Sequence, residues 1–384
     1  MTAPALTVDR GLPGNWDQLA AAAPPSVSRR WIGLAVDRFG PGYRTFTLRA
    51  GNLPVLAMGG VVIDTPLPRP RIDPYHILSG RSAHLGLIRN GPHPWRGSSP
   101  AEVMPCLLLM YPNYDLFPIG PAAGDEGMVG AFLAELRSWA AAQGIASLAF
   151  LYLAAEGNVL PGVLRAAGAA VIPLTDRCHL DVSWQDFPGY LATLPAKRRV
   201  TTRRELRALA ERGVEVAEGK LDVNDAELLR LRCKLVTKYS GGCDIERERQ
   251  LFGRVAASFA PSEICVTTAR KEGRLLGFSL LLKDKEEWTA FLTGADYDDP
   301  GSRLGYFATM FYLPALHAPE RGVRKINYGI GSWEAKRLRG CVCTPLYASA
   351  LRVSRAALRV PGAATPRNDA GRGGRRETAH GPDG

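Results

Sequence analysis

One feature constrains the fold of this chain more than any single motif: its periodic segments occur in the same order twice. In the first half, strand-like runs "FTLRAG", "LPVLAMGGVVIDT" and "EVMPCLLLMYP" precede the helix "MVGAFLAELRSWAAAQG". There Val129, Phe132, Leu133, Leu136 and Trp139 recur at helical spacing, and Gly144 ends the run. A strand "SLAFLYL", a helix "NVLPGVLRAAGA" and a strand "HLDVSW" follow. The second half starts with three helices, "LPAKRRVTTRRELRALAERG", "NDAELLRLRCKLVTKYSGG" and "ERQLFGRVAASFA". Asn224 is the candidate N-cap of the second, with Glu227 three residues on and Gly241 at its end. A meander, "EICVTTARKEGRLLGFSLLLKDKEEWTAFLTGAD", has turn signals at Glu272-Gly273 and at residues 284–287. The helix "RLGYFATMFYLPALHAPERG" then leads into the strand "KINYG". No residue-level repeat links the halves, so the duplication is read from element order alone.

A length of 384 residues agrees with two domains of ordinary size. The expected division is an irregular segment at 1–25, a first domain at 26–185, a second at 186–355 and a disordered tail at 356–384. Two adjacent mixed sheets flanked by helices are expected, with the boundary between residues 181 and 194. The long Pro/Gly-rich stretch "PLPRPRIDPYHILSGRSAHLGLIRNGPHPWRGSSP" reads as a functional or mobile loop. No apolar run is long enough to span a bilayer, which argues against integral membrane association. No signal-peptide pattern opens the chain, so a cytoplasmic location with seven reduced cysteines is expected. Cys341-x-Cys343 lacks a second pair for zinc, and buried small hydrophobes are the better reading of these thiols than ligands or nucleophiles. No metal is expected.

The formal charge of +11 is concentrated in places. The helix at 197–207 carries Lys197, Arg198, Arg199, Arg203, Arg204 and Arg207. At 3.6 residues per turn, Arg199, Arg203 and Arg207 share a face while Leu206, Leu209 and Ala210 turn inward. Such a face suits a phosphate backbone or the diphosphate of a nucleotide-linked acceptor; the bland alternative is a solvated surface with Glu205 and Glu211 as partners.

The order of two or three helices, an antiparallel meander, a helix and a strand is that of an acetyltransferase-type (GNAT) α/β domain. "YLATLPAKRRVTTRRELRALAERGVEV" resembles the linker helix of Fem-type, GNAT-related acyltransferases, a group that includes CelD-like proteins. "LTGADYDD" and "GYFATMFYLPALHAPERGVRKINYGIGSWEAKRLRGC" resemble their second domain. The resemblance covers roughly residues 31–351 in element order and is carried by motifs from Tyr190 onward. It implies α/β architecture of two tandem GNAT-like domains, each a mixed, largely antiparallel sheet flanked by helices, the first degenerate. It also implies acyl transfer to an amine, in cell-wall or natural-product biosynthesis, with an aminoacyl-tRNA donor and no permanently bound cofactor. The acceptor is then a small amine or a cell-wall precursor.

The residues bear on these implications individually. An acyl-CoA enzyme of this fold grips pyrophosphate with a glycine-rich turn at a helix N-terminus. The matching stretch, "TGADYDDPGSRLGYF", has Gly301 and Gly305 but also Asp296, Asp298 and Asp299, which repel pyrophosphate. Acyl-CoA stays open as the rival donor. Fem-type proteins carry Lys-x-x-Phe-Gly after a strand, with the lysine beside the reacting carbonyl. Here Lys336 to Gly340 matches, with Arg339 in place of the Phe. Lys336 is the candidate oxyanion donor, against a surface lysine paired with Glu334. Asp296 is the candidate to hold or deprotonate the amine, against a turn former. Lys238, Tyr239, Tyr297, Tyr328, Trp333 and Arg339 complete the expected substrate contacts, with Lys336 near Asp296 or Tyr297 at the mouth of the cleft. From another class, a catalytically inactive relative binding a nucleotide-linked or nucleic-acid ligand remains open.

Overall fold

The computed structural model describes residues 4–36, 39, 42–81 and 92–353. The first half runs β1 (Ala5–Arg10), α1 (Trp16–Leu19), α2 (Arg29–Ala35), β2 (Tyr43–Ala50), β3 (Leu53–Ile63), α3 (Pro74–Leu78), α4 (Pro100–Val103), β4 (Cys106–Leu109), α5 (Glu126–Ala142), β5 (Ser147–Ala154), α6 (Leu160–Ala166) and β6 (Val171–Asp181). The second runs α7 (Phe187–Thr193), α8 (Ala196–Glu211), β7 (Val214–Gly219), α9 (Ala226–Ser240), α10 (Ile245–Ser258), β8 (Ile264–Lys271), β9 (Arg274–Asp284), β10 (Glu287–Ala295), α11 (Ser302–Phe307), α12 (Leu313–His317), β11 (Lys325–Ile330), α13 (Trp333–Arg337) and β12 (Val342–Arg352). The tail expected at 356–384 lies outside the described residues.

Local signals explain most of these boundaries. Asp125 caps α5 by accepting from the Met128 amide, and Val129, Phe132, Leu133 and Leu136 bury the expected stripe. The cap of α9 is Asp225 rather than Asn224: its carboxylate reaches the amides of Glu227 and Leu228. Glu272 and Gly273 both adopt positive φ, 51° and 78°, the twist a two-residue hairpin needs. The N-terminal segment is not irregular. Leu6 and Val8 alternate inward against the first core, and β1 pairs with β2.

The largest departure concerns the sheet. Two adjacent sheets were expected; one twelve-stranded sheet forms, in the order β1-β2-β3-β4-β5-β12-β6-β11-β10-β9-β8-β7. Only β4–β5 and β10–β11 are parallel, and the order reads the same from either end in terms of each half's own strands. The last strand of each half is exchanged: β12 pairs with β5, β6 pairs with β11, and the two exchanged strands pair with each other at the centre. Neither half therefore completes its own sheet.

Further contacts tie the halves together. Trp31 of α2 is 1% exposed and packs edge-on to Phe259 and Phe291 of the second half, at 5.3 and 5.7 Å. Burying a side chain of this size stabilises by roughly 3 kcal/mol. Beside it Arg30 pairs with Glu263 and Asp284. Cys178 and Cys343, directly opposed in β6 and β12, form a disulfide, and Cys233 is bonded to Cys243 at the end of α9. The expectation of seven reduced thiols is thus corrected at four positions: paired strands and a helix end bring these sulfurs together. Cys106, Cys265 and Cys341 are free and buried, and behave as small hydrophobes.

Candidate active site

β10 and β11 are hydrogen-bonded only from Glu287–Thr289 to Lys325–Asn327. A bulge between Ala290 and Leu292 then turns β10 away, so the two parallel strands diverge toward their C-terminal ends. A wedge opens there, with unpaired backbone on its walls. In the first half the same position is closed: after β4 the chain returns, Leu116 bridges Leu153 in parallel, and the Ala154 amide donates to Leu116 O at 3.2 Å.

The turn after β11 folds back on itself because Gly329, Gly331 and Ser332 take φ of 64°, 76° and 47°. That reversal places Lys336 under the strand end, 6% exposed. Its Nζ donates to Tyr328 O, Gly329 O and Ile330 O at 2.7, 3.0 and 2.9 Å. All three ammonium protons are thereby engaged. Burial lowers its pKa to about 8, with Arg71 adding to the shift and Cys341 opposing it. At neutral pH the carbonyls still face an ammonium.

Around the wedge stand aromatic rings faced by cations. Lys238 Nζ lies 3.7 Å from the Tyr297 ring centre, and Arg71 from the first half lies 5.6 Å from that of Tyr239. Tyr239 and Tyr297 are 63% and 42% exposed, so both rings are open to a ligand. Burial, with Tyr239 and Tyr306 nearby, pushes the Tyr297 phenol up to about 12. Tyr306 and Arg71 were missed in the sequence; Arg71 sits on the long Pro-rich loop, where no periodic signal marks it.

Other expected residues have structural partners. Asp296 is 2% exposed and meets Lys234 at 2.5 Å, Arg274 at 2.9 Å and Arg230 at 3.4 Å. Burial raises its pKa, and the hydrogen bonds and charges of Lys234 and Arg230 outweigh that, so the carboxylate is held below its ordinary range. A carboxylate so engaged is a poor base. Its partners and those of Lys336 do not overlap. Arg339 stacks 3.4 Å over Phe307, donates to Ala335 O at 2.9 Å and reaches Glu205 of α8 at 3.5 Å. Tyr328 is buried against Phe311 at 4.6 Å. Trp333 carries Arg337 over its ring at 4.8 Å. Arg199 donates to Leu194 O at 2.7 Å, whereas Arg203 and Arg207 are exposed on α8. The structure thus brings Lys238 over the rings of Tyr239 and Tyr297, sets Arg71 near both Tyr239 and Lys336, and leaves Arg203 and Arg207 exposed on α8.

A GNAT acetyltransferase domain model matches residues 196–337. The solved structure of FemX is 10% identical, aligned over 92% of this chain and 98% of that one, with a TM-score of 0.55. L-PGS from Bacillus licheniformis is 10% identical over 89% and 92%, with a TM-score of 0.52. A tandem GNAT protein from the clavulanic acid biosynthesis pathway is 14% identical over 91% and 99%, with a TM-score of 0.52. Residues 196–337 thus match a GNAT acetyltransferase domain, and the chain as a whole shares the fold of these solved proteins. No curated protein matches it.

The turn before α11 is the stretch at which the pyrophosphate grip of an acyl-CoA enzyme was expected from the sequence. Here Asp299 fills it: Oδ1 accepts from the Gly301 amide at 2.7 Å, and Oδ2 pairs with Arg274 at 2.5 Å. Lys234 joins Asp298 at 2.6 Å. The chain's own carboxylates occupy the amides and cations that an anionic donor would need. Among the described residues no group of three or more His, Cys, Asp or Glu is arranged to hold a metal. The matched domain is described as an acetyltransferase domain, and it lies in the half of the chain that carries the wedge.

Proposed function

We propose that this Fem-like protein transfers an aminoacyl group from aminoacyl-tRNA to an amine in the wedge between β10 and β11. The observation that carries this is the carboxylate-filled turn before α11, with Asp299 on the Gly301 amide. It removes the pyrophosphate grip that acyl-CoA requires, while a donor held by its ribose-phosphate backbone needs only an outer basic face. The exposed arginines of α8 supply one.

Chemically, the amine nitrogen attacks the ester carbonyl, a C–N bond forms and the bond from the carbonyl carbon to the ribose oxygen breaks. The proton lost by nitrogen ends on the departing ribose oxygen. Lys336 holds three successive carbonyls of the β11 end and so fixes the strand that lines the wedge; it also leaves a positive charge beside the site. Tyr239 and Tyr297 offer faces on which a base or ring can stack.

The test is mass spectrometry of candidate amines incubated with charged tRNA or with acyl-CoA. Mass gain only with charged tRNA is expected; gain with acyl-CoA alone would sink the reading. A second measurement concerns α8. Replacing Arg203 and Arg207 by Ala should weaken tRNA binding and lower the slope of log affinity against log salt by roughly two units, about one per lost phosphate contact. An unchanged slope would make the helix a solvated face.

A further inference from the structure

On the sheet face opposite the Tyr328 side lies a cavity of about 570 Å³, in the size range of small-molecule sites. Its floor is formed by the exchanged strands and their neighbours: Arg177 and His179 of β6, Thr344 of β12, Lys325 and Asn327 of β11, and Glu287 of β10. Paired register explains why they share a face, since Arg177 opposes Thr344 and His179 opposes Asn327. The first half adds the apolar side chains Leu19, Phe117 and Ile119, with Gln18, Ser26 and Glu156 also on the lining. The exchanged strands thus contribute part of its floor.

Its charges are unevenly satisfied. Arg177 is already paired with Asp115 at 2.7 Å and donates to Tyr114 O at 3.0 Å. Glu287 is different. Its Oε1 takes only long hydrogen bonds, 3.4 Å from Asn327 and 3.5 Å from Thr289, and among the described residues no hydrogen bond reaches Oε2. Burial raises its pKa despite Asn327, Lys325 and Arg177, so a nearby cation would stabilise its charged form. Lys325, on the adjacent strand, has no ion-pair partner among the described residues and is exposed at the rim. His179 is held toward the neutral form, mainly by burial and with Lys325 contributing against Asp181, so it adds no fixed charge.

We propose that this cavity binds a small zwitterion, a free amino acid with an apolar side chain. The ammonium meets Glu287, the carboxylate meets Lys325, and the side chain lies against Phe117 and Ile119. An anion alone would leave Glu287 uncompensated, and a cation alone would leave Lys325 so. The site is distinct from the proposed transfer site, because none of Lys336, Tyr297, Tyr239, Lys238 and Arg71 lines it.

The probes are L-leucine, isoamylamine, which lacks the carboxylate, and isocaproate, which lacks the ammonium, each titrated calorimetrically into the whole protein up to roughly 10 mM. Leucine should bind, and each analogue should bind at least about tenfold more weakly, the loss expected when one charge pairing is removed. Glu287→Gln should weaken leucine and isoamylamine about tenfold and leave isocaproate unchanged; Lys325→Ala should do the reverse. Since a floor variant can disturb folding, Ala22→Trp provides a second test: Ala22 is exposed at the rim, and the indole would narrow the mouth and weaken leucine without touching the sheet. No heat with any probe, isocaproate matching leucine, or leucine binding unchanged in both Glu287→Gln and Ala22→Trp would overturn the proposal.

Discussion

Truncation after Gly340 is expected to abolish folding of the whole described chain, not only of its second half. The deletion removes β12, which pairs with β6 from Val342 to Ser349 and with β5 from Leu346 to Arg352. Both ladders lose their partner, and the two neighbouring strands are left with open edges in the middle of the sheet. Leu346, Ala348 and Ala350 also leave the core beneath β5, where Leu151, Ile172 and Leu174 pack. Burying Leu346 is worth roughly 2 kcal/mol and each alanine about 1 kcal/mol, against an ordinary domain stability of about 5–15 kcal/mol, so the loss of both ladders decides the outcome. The measurement is circular dichroism and limited proteolysis of residues 1–340 beside the full chain. A truncated protein retaining a protease-resistant first half would show that β12 is an accessory strand. A milder form of the same test leaves the strands in place. Cys178→Ser with Cys343→Ser opens a loop closed by residues 165 positions apart and should cost about 5 kcal/mol under oxidising conditions, if loop entropy dominates.

Element order and the tandem architecture were legible because the signals are local. The stripe of α5, the Gly241 stop of α9 and the Glu272-Gly273 hairpin each lie within a few residues of what they determine. Strand exchange was not legible. "HLDVSW" reads as a strand, but nothing in a period of two says which edge a strand will join, and the segment that becomes β12 had no strand reading at all. The pairing is decided by register across more than a hundred residues, and the Cys178–Cys343 bond follows from that register rather than from any spacing motif. The same limit applies around the wedge. Arg71 arrives from a loop of the other half, and Asp296 acquires three cations from α9 and β9, neither of which it adjoins in sequence. The sequence reads Lys336 as an oxyanion donor or as a surface lysine paired with Glu334; it is buried on the β11 carbonyls instead, because α13 is short and the left-handed Ser332 turns it back under β11.

That burial leads to the second large effect, on Lys336 itself. Replacing it by Met or Ala should lower the thermal midpoint at pH 7, because the carbonyls of Tyr328, Gly329 and Ile330 lose their shared donor. Each buried acceptor left unpaired costs about 1–3 kcal/mol. The pH dependence has a defined sign. Burial depresses the folded pKa from 10.5 to about 8. Below pH 8 both states hold the proton, and the buried charge weighs fully against folding. Between about 8 and 10.5 the unfolded chain keeps the proton while the folded chain gives it up, so stability contributed at this position rises with pH. A difference of 2.5 pKa units corresponds to about 3 kcal/mol, which the wild type should gain relative to Lys336→Met across that window and hold above it. Denaturant unfolding of both proteins at pH 7 and pH 10.5 measures this directly, and taking the difference cancels the titration of other groups. The kinetic readout is separate. If Lys336 fixes the wedge wall, Lys336→Ala should slow single-turnover transfer by about a hundredfold with a smaller change in binding. Lys336→Arg should restore little, since a planar guanidinium cannot point three donors at three carbonyls converging on one nitrogen. Wild-type rates in Lys336→Ala, together with a pH-independent stability difference, would make the residue a structural tie of the β11 end with no part in transfer.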